Sequence, residues 1–386
     1  MRRIPILITD IHTILLSRLH EPDLQWFTST FRTIKADAAV VVIHTRDGLT
    51  GIGEACAYGG PTQIAAWVNW LKPHLLGRDP ADPALPPHPN GRSHAYDCAV
   101  AGIDCALWDL RGQAAGLPTA ALLNPHAQPR VRVYASAGCK YDWRLDPQQL
   151  IQEALGFLDQ GFTAYKFRIG THWAWDGVTV ERFLGLVGEL AQAVAGRMEL
   201  MLEGNQRFSE HQALAIAKEI ERLGFAWFEE PLPLADVDGY ARLNAAVGIP
   251  ISGGESLTTL EQFRPYLEKG AFSIVQSDAG WCGLSEAMRI AEAASRYGVD
   301  LCPHSWHNGL MAMANAHLIA ALPRPRPLEL CRHQGPLQWG IIAQPPVIAD
   351  GWLHFPDRPG LGVELAPEVE RTYPYIEGHY AVSVER

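Results

Sequence analysis

Met198-Glu199-Leu200-Met201-Leu202-Glu203, Phe225-Ala226-Trp227-Phe228-Glu229 and Pro250-Ile251-Ser252-Gly253-Gly254-Glu255 are three short apolar runs, each closed by a glutamate. Runs of five or six residues with little polar alternation suit strands buried on both faces. Helical patterns separate them. Ser209 with Gln212 forms a capping box at one helix start, and Gly224 marks its stop. Strands alternating with helices need a parallel sheet with right-handed crossovers. The same texture extends upstream to Val131–Ser136 and Ala164–Arg168, and downstream to Phe272–Gln276, Val299–Cys302 and Pro327–Cys331. Asp146-Pro147 opens a further helix, Thr259 with Gln262 makes a second capping box, and Gly270 and Gly298 close others. An open doubly wound sheet would share this alternation. Eight strands at near-constant spacing favour closure into a TIM-like (β/α)7-8 barrel, with the last helix position left open.

The first third differs. Ala38–Thr45 reads as a buried strand, Arg46-Asp47-Gly48 as a hairpin turn, Asp79–Asn90 as a loop, and Ala95–Gly116 as a helix. The expected architecture is α/β overall: an α+β capping domain over residues 1–125, a catalytic barrel over 126–340, and a C-terminal segment, 341–386, returning to the cap. Of 386 residues, 47% are hydrophobic and 19% charged, which excludes a disordered chain or a fibre. The formal net charge of −10 argues against nucleic acid or an anionic membrane as partner. The seven cysteines form no CxxC and no zinc spacing, so most of them read as small apolar residues in a reducing compartment. The apolar run after Met1-Arg2-Arg3 is too short for a signal peptide, and no stretch of about 18 apolar residues would span a bilayer. A cytoplasmic, homo-oligomeric protein is expected.

Barrel strands should be apolar, yet Lys166 and Arg168 close the second, and Glu203, Glu229 and Glu255 close the third to fifth. Asp278 follows the sixth, His304 the seventh, and Glu329 lies in the eighth. From Glu203 onward one ionisable residue recurs every 23 to 26 positions, at the end of the strand where barrels carry their active sites. A lone glutamate here would be a solvated loop residue. Three in phase would repel unless a cation lay between them, and hard oxygen ligands point to Mg2+, with Mn2+ as a substitute. Lys166 and Arg168 share one strand face, and a neighbouring guanidinium and metal are expected to lower the lysine toward a useful base. Arg168 itself cannot exchange a proton. Asp278 is expected to reach across to His304 and fix its tautomer. For His307 and His317 packing or surface roles are expected.

With these residues in place, the chain resembles the mandelate racemase-like branch of the enolase superfamily, which includes acid-sugar dehydratases. The motifs span nearly its whole length: Asp47-Gly48-Leu49-Thr50-Gly51-Ile52-Gly53-Glu54-Ala55, Ala106-Leu107-Trp108-Asp109-Leu110, Trp227-Phe228-Glu229-Glu230-Pro231-Leu232, Gly253-Gly254-Glu255-Ser256 and Pro356-Asp357-Arg358-Pro359-Gly360-Leu361-Gly362-Val363. The resemblance implies that Glu203, Glu229 and Glu255 bind Mg2+ and that Asn205 stands at the substrate. It further implies that Lys166 and the Asp278–His304 pair face opposite sides of the substrate α-carbon, and that Glu329 contacts the substrate carboxylate. By analogy, Ser17–Phe31, with His20, Trp26 and Phe27, lies over the barrel mouth; Trp306 and Lys140 are further pocket candidates.

Three features depart from the family pattern. Glu203 replaces the usual Asp, a single glycine, Gly283, precedes Leu284 where relatives have two, and Arg168 replaces a second lysine. Racemisation needs a base on each face of the α-carbon; Arg168 cannot supply one, and Lys166, which could substitute, more often polarises the site in the family the chain resembles. Dehydration needs only His304, which can take the α-proton and then assist departure of the β-hydroxyl. The expected activity is therefore a Mg2+-dependent sugar-acid dehydratase acting on a small-molecule carboxylate, with a racemase, epimerase or cycloisomerase as the alternative. A barrel that only binds sugar acids would have no use for an acid–base pair.

Overall fold

The computed structural model describes residues 6–28, 31–91, 93–139, 141–170 and 177–384. β1 (Ile8–Leu19) is followed by β2 (Trp26–Phe27) and β3 (Phe31–Thr33), then by β4 (Lys35–Thr45) and β5 (Thr50–Ala55). β1, β4 and β5 form an antiparallel sheet, with the β4–β5 hairpin turning at Asp47-Gly48. Helices Pro61–Leu75 and His94–Ala115 cover one face of this sheet. Ile11, Val41, Ile43, Val68, Leu71, Ile103 and Leu107 make a closed apolar core there.

Eight parallel strands follow: β6 (Arg130–Ser136), β7 (Ala164–Arg168), β8 (Glu199–Glu203), β9 (Phe228–Glu229), β10 (Ile251–Gly253), β11 (Ile274–Val275), β12 (Asp300–Leu301) and β13 (Leu328–Cys331). β6 to β12 pair in sequence order and β13 pairs back onto β6. No ladder joins β12 to β13 among the described residues, but the Cys302 thiol donates to the Pro327 carbonyl at 3.4 Å across that seam. Among the described residues seven helices separate the strands, and β13 is followed by short turns, Leu337–Gly340 and later Val369–Thr372, rather than an eighth barrel helix, so the barrel reads (β/α)7β.

Local chemistry accounts for the helices. Both capping boxes form, at Ser209/Gln212 and Thr259/Gln262. In Glu210–Arg222 the buried residues are Ala213, Ile216, Ala217 and Ile220, one helical stripe facing the barrel. Helix Gly309–Ala321 is buried along all of its length, which its nearly unbroken apolar sequence requires.

The tail departs from expectation in its first part. β14 (Val347–Ala349) and β15 (Trp352–His354) form a hairpin that pairs with β6, in the barrel, through Trp352 opposite Arg132. Further on, the Leu361 amide donates to Asp109 at 2.7 Å and β16 (Ala381–Ser383) pairs with β3. No helix of the described residues is long and apolar enough to cross a membrane.

Candidate active site

Parallel register aligns the strand ends. Arg168 lies opposite Glu203, and Glu203 opposite Glu229. Glu255 was expected to close its strand, but β10 stops at Gly253. Gly254 then adopts φ +94°, a left-handed conformation open to glycine, and Glu255 follows it into the cluster. Carboxylate oxygens of Glu203, Glu229 and Glu255 lie within 4.8 Å of one another. Glu203 and Glu229 are fully buried, and Oε2 of Glu203 has no hydrogen-bond partner. Burial, and then the charge of Glu229, push Glu203 well above the usual carboxylate range. Orphaned, mutually repelling, converging oxygens are the donor set a divalent cation requires, and these three residues could hold one.

Lys166 is 1% exposed. Its ammonium bonds Oε1 of Glu229, approaches Oε1 of Glu329 at 2.9 Å and Oε2 of Glu203 at 3.9 Å. Burial opposes its charge, but Glu229, Glu329 and Glu203 outweigh that, so its pKa is raised. The lowering expected from Arg168 is outweighed here: three carboxylates surround the lysine, and the guanidinium is a weaker influence. Burial likewise opposes charge on Glu329, yet Lys166 and His304 hold it low, and its Oε2 accepts the Ser305 amide at 2.7 Å. The guanidinium carbon of Arg168 sits over the Trp306 ring, 3.8 Å from its centroid, and its Nη1 is buried with no hydrogen-bond partner. Trp306, expected at the substrate, therefore also positions the guanidinium.

On the other side stands the pair expected from sequence. His304 Nδ1 donates to Asp278 Oδ2 at 2.8 Å, so in the neutral imidazole Nε2, 3.8 Å from Glu255, is the accepting nitrogen. Burial disfavours the imidazolium, but Glu255 and Asp278 outweigh it and raise His304 to about 9. Asp278 is itself held: Oδ1 accepts the Gly280 amide at 2.8 Å and Nδ2 of Asn315 at 3.0 Å. Asn315 also donates to the His304 carbonyl at 3.1 Å.

A cavity of about 410 Å³ opens between these groups, lined by Arg168, Asn205, Glu255, His304 and Trp306 and covered by Trp26, Thr28, Phe31 and Tyr58. Trp26 packs edge-on against Trp306 with ring centroids 5.6 Å apart, so it both lines the pocket and joins cap to barrel. His20 and Phe27 are not among the lining residues. Lys140 lies outside the described residues. Asn205 donates its amide to Glu203 at 2.6 Å and has φ +47°.

Four participants escaped the sequence reading. Asn315 was signalled by an amide inside an apolar helix, and Glu230 by the Glu-Glu doublet after β9. Glu230 is buried, accepts the Gly254 amide at 2.9 Å and Gln206 Nε2 at 2.6 Å, and is raised to about 8 by burial and then Glu255. Arg207 and Tyr58 carried no signal in one sequence. His317 has the expected packing role. His307 is buried against Cys56, its Nε2 3.2 Å from the sulfur.

Residues 149–369 match the enolase C-terminal domain-like family, and residues 17–124 match the N-terminal domain of mandelate racemase and muconate lactonizing enzyme. The D-galactarolactone cycloisomerase of Agrobacterium fabrum is 29% identical over 93% of this chain and 96% of its own. The arabinonate dehydratase of Saccharolobus solfataricus is 31% identical over 86% of this chain and 89% of its own. The crystal structure of the 3,6-anhydro-D-galactonate cycloisomerase from Zobellia galactanivorans matches with a TM-score of 0.79 and 30% identity, over 95% of this chain and 99% of that one. Two domain matches in the right order, together with relatives aligned nearly end to end, place the chain in the mandelate racemase and muconate lactonizing enzyme family of the enolase superfamily.

Proposed function

We propose that the protein is a Mg2+-dependent acid-sugar dehydratase, removing the proton α to a sugar-acid carboxylate and eliminating the β-hydroxyl as water to give a 2-keto-3-deoxy acid. The observation that carries this is asymmetry. His304, oriented by Asp278, reaches the cavity from one side, while the other side presents Arg168, which cannot exchange a proton. Lys166 is held by Glu229 and Glu329 and is not among the cavity-lining residues. Glu203, Glu229 and Glu255 would hold the cation, whose charge offsets that developing on the substrate carboxylate. His304 Nε2 takes the α-proton, Asp278 stabilises the resulting imidazolium, and the same proton passes to the departing hydroxyl as water leaves. Arg168, with its unpaired Nη1, would bind an oxygen of the substrate.

A cycloisomerase acting on a sugar-acid lactone is the second reading. It also needs a single base, and two relatives described above bear that name. Incubation with a panel of mono- and diacid sugars and their lactones, followed by mass spectrometry, separates the two: dehydration lowers product mass by one water, cycloisomerisation leaves it unchanged. Chelation should abolish turnover and Mg2+ restore it. His304→Asn should cost roughly 10²- to 10⁴-fold in kcat. Full turnover by that variant would overturn both readings.

A further inference from the structure

The cysteines do not all behave as small apolar filler. Cys56 leaves β5, and its amide donates to the Gly280 carbonyl at 2.9 Å, where the cap meets the first turn of helix Ala279–Arg296. His94 and Cys98 stand four apart at the start of helix His94–Ala115, a spacing that puts both on one helix face. Sulfur and imidazole nitrogen of Cys56, His94 and Cys98 all lie within 4.8 Å of one another. None of the three belongs to the carboxylate cluster.

We propose that Cys56, Cys98 and His94 form a second metal site, for Zn2+, at the junction of cap and barrel. Two thiolates and one imidazole are a soft donor set that selects zinc over the hard Mg2+ of the carboxylates. Three protein ligands leave the fourth tetrahedral position to water. Binding converts both thiols to thiolates and releases two protons, with no redox change. His307 Nε2, 3.2 Å from the Cys56 sulfur, helps to orient that ligand. The site fastens the exit of β5 to the cap helix beside Trp281. That ring packs at a tilt against His94, centroids 4.6 Å apart, and approaches His304 at 6.2 Å, so the site supports the wall behind the catalytic base.

The test uses the full, reduced chain in excess Mg2+, which fills the carboxylate site. Elemental analysis should find one zinc per chain, and Co2+ in its place should give a near-ultraviolet sulfur-to-cobalt charge-transfer band. That band should vanish in Cys98→Ser and persist in Glu229→Gln. Zinc affinity should fall about tenfold or more in His94→Gln, a change in the first helical turn that spares both thiols and serves if Cys98→Ser fails to fold. Zinc removal should lower the thermal midpoint while Mg2+ binding persists. A featureless cobalt spectrum, zinc lost with Glu229→Gln but kept with His94→Gln, or a Cys56–Cys98 disulfide in the protein as isolated would each overturn the assignment.

Discussion

At the level of single residues, the base is only as good as what holds it. His304 depends on Asp278, and Asp278 depends on Asn315, whose Nδ2 bonds both the carboxylate and the His304 carbonyl and whose Oδ1 accepts the Ala279 amide at 2.9 Å. Asn315 touches no substrate and is a positioning residue. Asn315→Leu keeps the volume and removes all three bonds, so kcat should fall roughly 10- to 100-fold, the usual effect of losing such a support. KM and Mg2+ affinity should hold, since the carboxylates are untouched. Steady-state kinetics with Mg2+ titration checks this; a raised KM with unchanged kcat would reduce Asn315 to packing. His304 and Asp278 were legible from sequence because a barrel repeats its strand ends at a fixed interval, and phase alone singled them out. Asn315 was not, because it approaches from the middle of a helix, outside that phase. The Cys56–His94–Cys98 cluster hid for the same reason, since folding joins two separate elements there.

Among the elements, the barrel strands from β8 onward are shorter than their apolar runs. Pro250–Glu255 yields only Ile251–Gly253, because the ladder ends where the chain turns to present Glu255. Apolar sequence reports burial on both faces, and flanking residues can be buried without pairing. The loop that begins at Asp278 shows the cost of such turns. Gly283 interrupts helix Ala279–Arg296 with φ +82°, and a Cβ there would approach Asp104 Oδ2 to 2.8 Å. Asp104 cannot retreat freely, since it accepts both the amide and the hydroxyl of Ser285, at 2.8 and 2.6 Å. This is the glycine that stands alone before Leu284. Gly283→Ala should destabilise the fold by about 1–3 kcal/mol, combining left-handed strain with the clash. Urea denaturation measures it, and a change below a few tenths of a kcal/mol would show that the break relaxes at no cost.

Across the whole molecule, cap, barrel and tail meet on helix Gly309–Ala321. His317, fully buried within it, accepts the Ala120 amide at Nδ1 (3.2 Å), donates from Nε2 to the Leu361 carbonyl (3.1 Å) and stacks on Phe355 at 4.5 Å. One neutral imidazole thus ties three parts of the chain together. Burial lowers its pKa from 6.5 to about 4, with the Leu361 carbonyl opposing. The folded state therefore resists a proton that the unfolded state accepts. Stability from this group is complete above pH 6.5 and is lost as pH falls toward 4, by roughly 2 kcal/mol at pH 5 and about 3 kcal/mol below pH 4. His317→Gln keeps a neutral donor and acceptor but has no proton to gain. The variant should be less stable than the native chain at pH 7.5, through poorer packing, yet lose about 2 kcal/mol less between pH 7.5 and 5. Denaturant titrations of both proteins at the two pH values read this difference directly. Parallel losses would place the acid sensitivity elsewhere and leave His317 a packing residue alone.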